Sequence, residues 1–290
     1  MSTPLVELPV RRLTKADVTL CADLSEDRGW PREEHKWGLL LAAGTGYGID
    51  DPSGKGLVTA CVVTRYGPGP EQRSELVAIG MVLVAERYAR QGVGRRLMKQ
   101  VITEAGEAPV TLHATPYGRP LYEELGFGTV GRAEMVRGFF QLTGPAPRAV
   151  TRPATAEDLP AILRLDAEVF GQDRTHMITR LPAFADQLRV AESGGALTGY
   201  AAAWPNMETH VVGPLVARDT DTAKSLVASL AESSDRPLRT DIDVRHEELL
   251  DWLRACGLST VAFNTVMLRG AGDLPGDASR RFAPLTVAAG

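Results

Sequence analysis

"ERYARQGVGRRLMKQ", residues 86–100, sets two glycines between arginines at the head of a patterned stretch. Val93, Leu97, Val101 and Ala105 recur every four residues while Arg95, Arg96 and Lys99 fall elsewhere, which predicts a helix with one apolar face. The first turn of a helix carries unpaired backbone N–H groups and the positive end of the helix dipole, and glycine lets the oxygens of an anion reach them. Four readings compete: a dinucleotide site, a nucleoside triphosphate site, a coenzyme A site, or an ordinary helix start with glycines in the preceding turn.

The residues just upstream narrow the choice. "ELVAIGMVLVA", residues 75–85, is almost continuously apolar, as a central strand buried on both faces requires. A Rossmann fingerprint needs G-x-G-x-x-G directly after its strand, but the third glycine position holds Leu97 and the strand ends near Val84, eight residues before Gly92. "SGKG", residues 53–56, lacks the spacing and hydroxyl residue of a Walker A loop, and no G-x-S-x-G is present. What remains is a buried strand, a bend, and a glycine-bearing helix start suited to a diphosphate.

Working outward, residues 5–12 alternate as a strand, and Thr14 with Asp17 has the spacing of a helix cap. A second helix is predicted from Pro31 to Gly44, followed by "TGYGID" and "GLVTACVVTRY" as a hairpin. After the quoted helix come a strand "PVTLHA", a short helix "YGRPLYEELGF" and a strand "VGRAEMVRGFF". "LTGPAPRAVTRPAT" is linker-like, which divides the chain into residues 1–143 and 144–290.

The order of elements then restarts. "AVTRP" is a strand, Thr155 and Asp158 repeat the capping spacing, "QLRVAE" and "ALTGYAAAWP" form a hairpin, and "HVVGPLVA" stands where the central strand stood. A helix, a strand, a helix and the strand "STVAFNTVMLR" follow, and "RRFAPLTVAAG" offers one more strand. Repetition at half-chain length implies tandem copies of one α/β fold.

With 290 residues, 44 % of them hydrophobic, two cores can be filled. A formal charge of -4 disfavours nucleic-acid binding by bulk electrostatics. Cys21, Cys61 and Cys256 lie far apart and the five histidines are scattered, so neither a disulfide framework nor a metal site is predicted. No apolar run approaches the ~20 residues of a membrane span. The expectation is a cytoplasmic protein, monomer or homodimer, that binds neither membrane nor nucleic acid.

On "VLVAERYARQGVGRRLM" and "LYEELGF" the chain resembles the GCN5-related N-acetyltransferase (GNAT) family over about residues 5–140. The first stretch matches that family's strand, [Q/R]-x-x-G-x-[G/A] loop and helix, except that Ala89 holds the leading Gln/Arg position. The second matches its Y-x-x-x-G-F signature; the frequent upstream asparagine is Thr115. The resemblance implies an α/β (α+β) fold of two tandem GNAT-like domains, each a mixed, mostly antiparallel sheet flanked by helices, and acetyl-CoA as co-substrate. It implies that Val82 offers its N–H to the thioester oxygen and Val84 pairs with the pantetheine arm. Arg90, Gln91, Gly92, Val93, Gly94 and Arg95 would hold the pyrophosphate, and Tyr122 would protonate the leaving thiolate.

The base is not defined, because the strand position where some members carry glutamate is Ala78. Asp27, Trp30, Glu33 and Glu34, in the segment bordering the family's acceptor site, are the candidates for binding an amine. In the second half the loop reads "RDTDTAKSL", without glycine and with acidic residues where phosphate would sit, and Leu253 stands at the tyrosine position. The resemblance there is to a degenerate copy, so one active site per chain is expected. The predicted activity is N-acetylation of a small primary amine by direct attack; a protein or peptide acceptor, or a noncatalytic acyl-CoA sensor, are the alternatives.

Overall fold

The structure, a computed structural model, describes residues 5, 7–68 and 75–290. In the first half β1 (Arg11–Leu13) precedes α1 (Val18–Asp27) and α2 (Glu34–Ala43), and β2 (Thr45–Asp50), β3 (Leu57–Pro68) and β4 (Leu76–Val84) form an antiparallel meander. Then come α3 (Val93–Ala105), β5 (Val110–Ala114), α4 (Arg119–Glu124) and β6 (Gly128–Gly138). The second half runs β7 (Val150–Pro153), α5 (Leu159–Phe170), β8 (Gln172–Asp173), α6 (Thr175–Ile178), α7 (Leu181–Phe184), β9 (Gln187–Ser193), β10 (Ala196–Asn206) and β11 (Thr209–Ala217). It ends with α8 (Thr220–Ala231), β12 (Leu238–Asp243), α9 (Glu247–Ala255), β13 (Ser259–Arg269) and β14 (Arg281–Ala283).

Two boundaries differ from the sequence expectation. The first strand is shorter than residues 5–12, of which Val6 lies outside the described residues. The second helix begins at Glu34 rather than Pro31, because Glu33 has a left-handed backbone, φ 43°, and sits ahead of the first turn.

The repeat is visible in chemistry as well as order. Thr14 and Asp17 form a capping box that Arg11 closes with a 2.7 Å bond to the Asp17 carboxylate; Thr155, Asp158 and Arg152 repeat it, with bonds of 2.7 and 2.8 Å. In both boxes the arginine is the leading cause that holds the aspartate below the usual carboxylate range, and each box fixes the start of the helix that follows.

The two halves do not keep separate sheets. Among the described residues one mixed sheet runs β1-β2-β3-β4-β5-β13-β6-β12-β11-β10-β9-β7, in which only β4–β5 and β11–β12 are parallel. The halves have exchanged their last long strands. β13 lies along β5, with Val266 opposite His113, while β6 lies along β12, with Met135 opposite Asp241. β6 and β13 also pair with each other from Ser259 opposite Arg137 to Leu268 opposite Gly128, so the exchange zips the halves together with no unpaired edge between β6 and β13. Their crossing is tight at Gly138, where a Cβ would lie 2.3 Å from the Gly257 carbonyl oxygen.

Helices α3 and α4, and α8 and α9, cover one face of this sheet through Leu97, Met98, Val101, Leu226 and Leu253. The other face is closed by α1, α2 and α5–α7 around Trp37, Tyr66, Tyr200 and Trp204, and by the end of the chain, where Leu285, Ala288 and Ala289 are buried. No helix among the described residues is long and apolar enough to cross a membrane.

Candidate active site

The site begins at a break in the ladder of β4. Val77 donates its N–H to the Pro109 carbonyl at 2.9 Å, but β5 pairs only with Val77 and Ala78 before it diverges. On the other side β4 stays with β3, through a bulge between Ala60 and Val62 where Met81 takes φ 52°. The bulge reverses the alternation of the strand. Val77 and Ile79 face α3 and α4, and beyond the bulge so do Val82 and Val84.

The same reversal aims the backbone. Ala85 gives its N–H to Val58 and the Leu83 carbonyl accepts from the Thr59 hydroxyl at 2.6 Å, so these residues face β3. By alternation the N–H and C=O groups of Val82 and Val84 face the gap left by β5. No strand among the described residues takes that edge.

Next to the gap stands the helix start. A single 3-10 turn, Glu86–Tyr88, is held by Asp27, whose carboxylate accepts the Glu86 N–H at 2.6 Å, and by the buried Asp51, which binds Arg87 and the Tyr88 hydroxyl. Arg90 and Gly92 both have left-handed backbones, φ 59° and 80°, and Gly92 is the N-cap of α3 with no side-chain cap. The first helical bond is Arg96 to the Gly92 carbonyl, which leaves the N–H groups of Val93, Gly94 and Arg95 for an outside acceptor. Gly94 is needed for closeness: a Cβ there would lie 3.0 Å from a Val84 methyl. Arg95 is paired with Glu124, Arg96 holds the Leu5 and Leu8 carbonyls at 3.1 and 2.7 Å, and Arg90 is exposed with no ion pair among the described residues.

Tyr122 belongs to the apolar cluster against which Val82 packs. Its ring meets Phe127 edge-on at 6.1 Å and lies under Gly118, where a Cβ would be 3.1 Å from the ring. Burial, and then the neighbouring Cys61, push the phenol well above its usual range, so it keeps its proton. Its hydroxyl makes no hydrogen bond among the described residues. The short helix is built for this: Pro120 opens it and Gly126, φ 85°, ends it.

The acidic candidates are placed otherwise. Glu33 is buried in a cluster with Lys36, accepts from Asn206 at 2.7 Å and lies 3.5 Å from Arg239, so it ties α2 to the second half. Glu34 pairs with Arg32 at 3.0 Å at the surface, and Trp30 is 36 % exposed. Asp241, which borders the same cluster, has its carboxyl pushed up by burial.

Two groups with no local signal in the sequence stand at the gap instead. His113 on β5 faces the side opposite α3, lies beside the Val287 backbone and lines a cavity with Thr111, Phe170, Asp243, Arg245 and Arg281. Ala288 crosses β4 at Gly80, where a Cβ would come within 2.1 Å of its carbonyl oxygen. Burial first, then Arg281, push His113 down to about 4. An unfolded imidazole titrates near about 6.5, so between these values the unfolded chain holds more protons and stability falls as pH drops through the window. Unfolding midpoints measured from pH 7 to pH 4 are expected to fall less steeply for His113→Gln than for the native chain; equal slopes would contradict this assignment.

The second half repeats the geometry and fills it. The His210 backbone N–H goes to the Pro237 carbonyl at 3.0 Å, β12 meets β11 only at His210 and Val211, and a register shift between Ala201 and Ala203 mirrors the one on β3. There the chain closes its own gap: β14 pairs with Leu215 and Val216, and the Ala217 N–H goes to the Arg280 carbonyl at 3.0 Å. Helix α8 is self-capped as well, Asp219 accepting the Thr222 N–H at 2.8 Å.

A sheet parted beside an uncapped, glycine-led helix defines an acyltransferase of the GNAT type. Models of the GNAT acetyltransferase domain match residues 69–143 and 162–283. The uncharacterized N-acetyltransferase YitH of Bacillus subtilis is 30 % identical over 234 residues, 79 % of this chain and 80 % of YitH. The chain therefore belongs to the GNAT acetyltransferase family and is a tandem member of it, an acyltransferase enzyme. Its fold is similar to that of a candidate acetyltransferase from Pyrococcus horikoshii, with TM-score 0.79 at 17 % identity, covering 100 % of this chain and 98 % of that one. It is also similar to Saccharomyces cerevisiae N-myristoyltransferase solved with myristoyl-CoA, with TM-score 0.60 at 12 % identity, covering 99 % and 93 %.

Proposed function

We propose that the chain transfers the acetyl group of acetyl-CoA to a primary amine by direct attack, at one site formed on residues 1–143, with residues 144–290 a degenerate copy. The observation that carries this is the contrast between the halves. The edge of β11 is paired with β14 and its helix is capped by Asp219, while the matching edge of β4 and the start of α3 keep their donors free.

The pyrophosphate lies on the N–H groups of Gly92, Val93, Gly94 and Arg95, with Arg90 as the cation beside them; Gln91 supports the loop through a 3.1 Å bond to the Arg87 carbonyl. The pantetheine arm takes the place of a strand against Val84. The amine attacks the thioester carbon, the oxygen gains negative charge, and the Val82 N–H stabilises it. As the tetrahedral centre collapses, the C–S bond breaks and Tyr122 gives its proton to the thiolate. The attacking nitrogen loses its proton to solvent water on the side of Ala78 and His113, and neutral His113 orients that water by accepting a hydrogen bond from it.

Asp27 holds the turn after β4 and Glu33 holds the interface, so neither is assigned to the acceptor, and neither Trp30 nor Glu34 is among the residues lining the cavity beside His113. The recessed cavity beside His113 favours a small-molecule acceptor over a protein. Gly92→Asp places a carboxylate among the phosphate donors and replaces glycine at φ 80°. Its Kd for acetyl-CoA is expected to rise about 100-fold, two unfavourable effects of roughly 1 kcal/mol or more acting together. Unchanged binding would mean that the cofactor lies elsewhere.

A further inference from the structure

The cavity beside His113 holds one guanidinium, that of Arg281, with no carboxylate in ion-pair contact among the described residues. Four charged side chains line it: Asp243, Arg245, Asp273 and Arg281. Asp243 is taken by Arg245 at 2.9 Å. Asp273 is exposed and accepts the N–H of Leu274 at 2.7 Å. Arg174, just behind the cavity wall, is held by both oxygens of Asp166 at 2.7 and 2.8 Å. Arg281 gives one N–H to the Pro275 carbonyl at 3.1 Å and makes no ion pair among the described residues. Burial, then Arg174 and Arg245, push it down to about 10, against the opposing pull of Asp243 and Asp273.

The cavity also lies within reach of the proposed chemistry. Ala78 is level with Thr111 in the parallel register, so His113, two residues on, lies across the gap from the stretch of β4 that begins at Gly80. Val82 is two residues beyond Gly80 across the bulge at Met81, at most about 7 Å at roughly 3.3 Å per residue. Arg245 closes the opposite wall, 4.0 Å from where a Cβ of Gly131 would be, and Gly131 faces Val266, the β13 partner of His113.

We propose that this cavity is the acceptor pocket and that it selects amines bearing an anionic group, which Arg281 receives with Arg245 beside it while the amine passes His113 toward Val82. A carboxylate or a phosphate supplies the same chemistry: oxygens that accept charge-assisted hydrogen bonds from a guanidinium. Specificity then comes from leaving Arg281 unpaired when a neutral amine binds. This inference rests on the acetyltransferase reading only for the direction in which the amine points.

The test uses the full chain and two readouts. Thiol release from acetyl-CoA is measured with glycine, β-alanine, 4-aminobutanoate, 6-aminohexanoate and O-phosphoethanolamine, each against a neutral amine of matching length. The same compounds are tested for thermal stabilisation without cofactor. At least one anionic amine is expected to exceed its neutral partner in kcat/KM by about 10- to 100-fold, the worth of a hydrogen bond to a charged group. Arg281→Gln is expected to collapse that ratio through KM, and Arg281→Lys to retain part of it. Carboxylates alone giving the preference would name that anion, and O-phosphoethanolamine alone would name phosphate. Stabilisation by an anionic amine that Arg281→Gln abolishes, without thiol release, would uphold the pocket and remove the acetyl-transfer reading. Turnover with no preference for an anionic amine, or neither turnover nor stabilisation with any compound, would overturn the inference.

Discussion

Tyr122→Phe is expected to lower kcat for acetyl transfer by about 100-fold or more, the usual worth of a positioned general acid, while Kd for acetyl-CoA stays within about twofold. The change removes one oxygen and nothing else. The ring still meets Phe127 and the underside of Gly118, and the hydroxyl has no hydrogen bond in the fold that its loss would break. Stability should therefore hold, which separates a chemical effect from a folding one. Because burial keeps the phenol protonated far above neutral pH, the loss should be the same at pH 6 and pH 9. A kcat within a few-fold of native would assign the proton to water and leave Tyr122 a core residue.

The second large effect concerns the exchange of strands. Residues 1–143 expressed alone are expected to lose acetyl transfer altogether and to fail to give a cooperative unfolding transition. β5 would lose β13, its antiparallel partner from Val110 to Ala114, and β6 would lose both of its neighbours, β12 and β13. Exposed ladder edges of that length invite aggregation. The apolar surface around Tyr66 would open too, since its hydroxyl is held by the Ala289 carbonyl and its ring by Phe170. Circular dichroism on heating, with thiol release beside it, measures both consequences. A soluble, active fragment would mean that β6 can return to β5 and that the exchange is dispensable.

What could be read from the sequence follows the range of the forces involved. The loop at Gly92 and the helix of Tyr122 are local: a strand, a bend, glycines and a helical period lie within a few turns of each other, and backbone conformation decides them. The repeat was legible for the same reason, since Thr14–Asp17 and Thr155–Asp158 are short-range caps. The exchange was not. β6 and β13 are strands of equal length with similar alternation, and each half's sheet offers either of them the same kind of edge; only pairing across more than a hundred residues selects one. The cavity was hidden likewise, because Leu76, His113, Asp243 and Arg281 reach it from four strands. Glu33 misleads in the opposite sense: it lies in a charged run that looks solvated, yet its left-handed backbone turns it inward to Lys36 and Arg239. The strand in the closing segment was foreseen, but its place against β11 rests on three residues with no pattern of their own.

The central claim is that the chain offers one acyl-CoA site, at the parted edge of β4, because β14 occupies the other. Titration calorimetry of the full chain with acetyl-CoA measures it most directly, comparing the native protein with Gly92→Asp. One molecule bound per chain in the native protein, with affinity lost in the variant, is the expected result. Two molecules per chain, or one whose affinity survives Gly92→Asp, would contradict it and direct attention to the edge of β11.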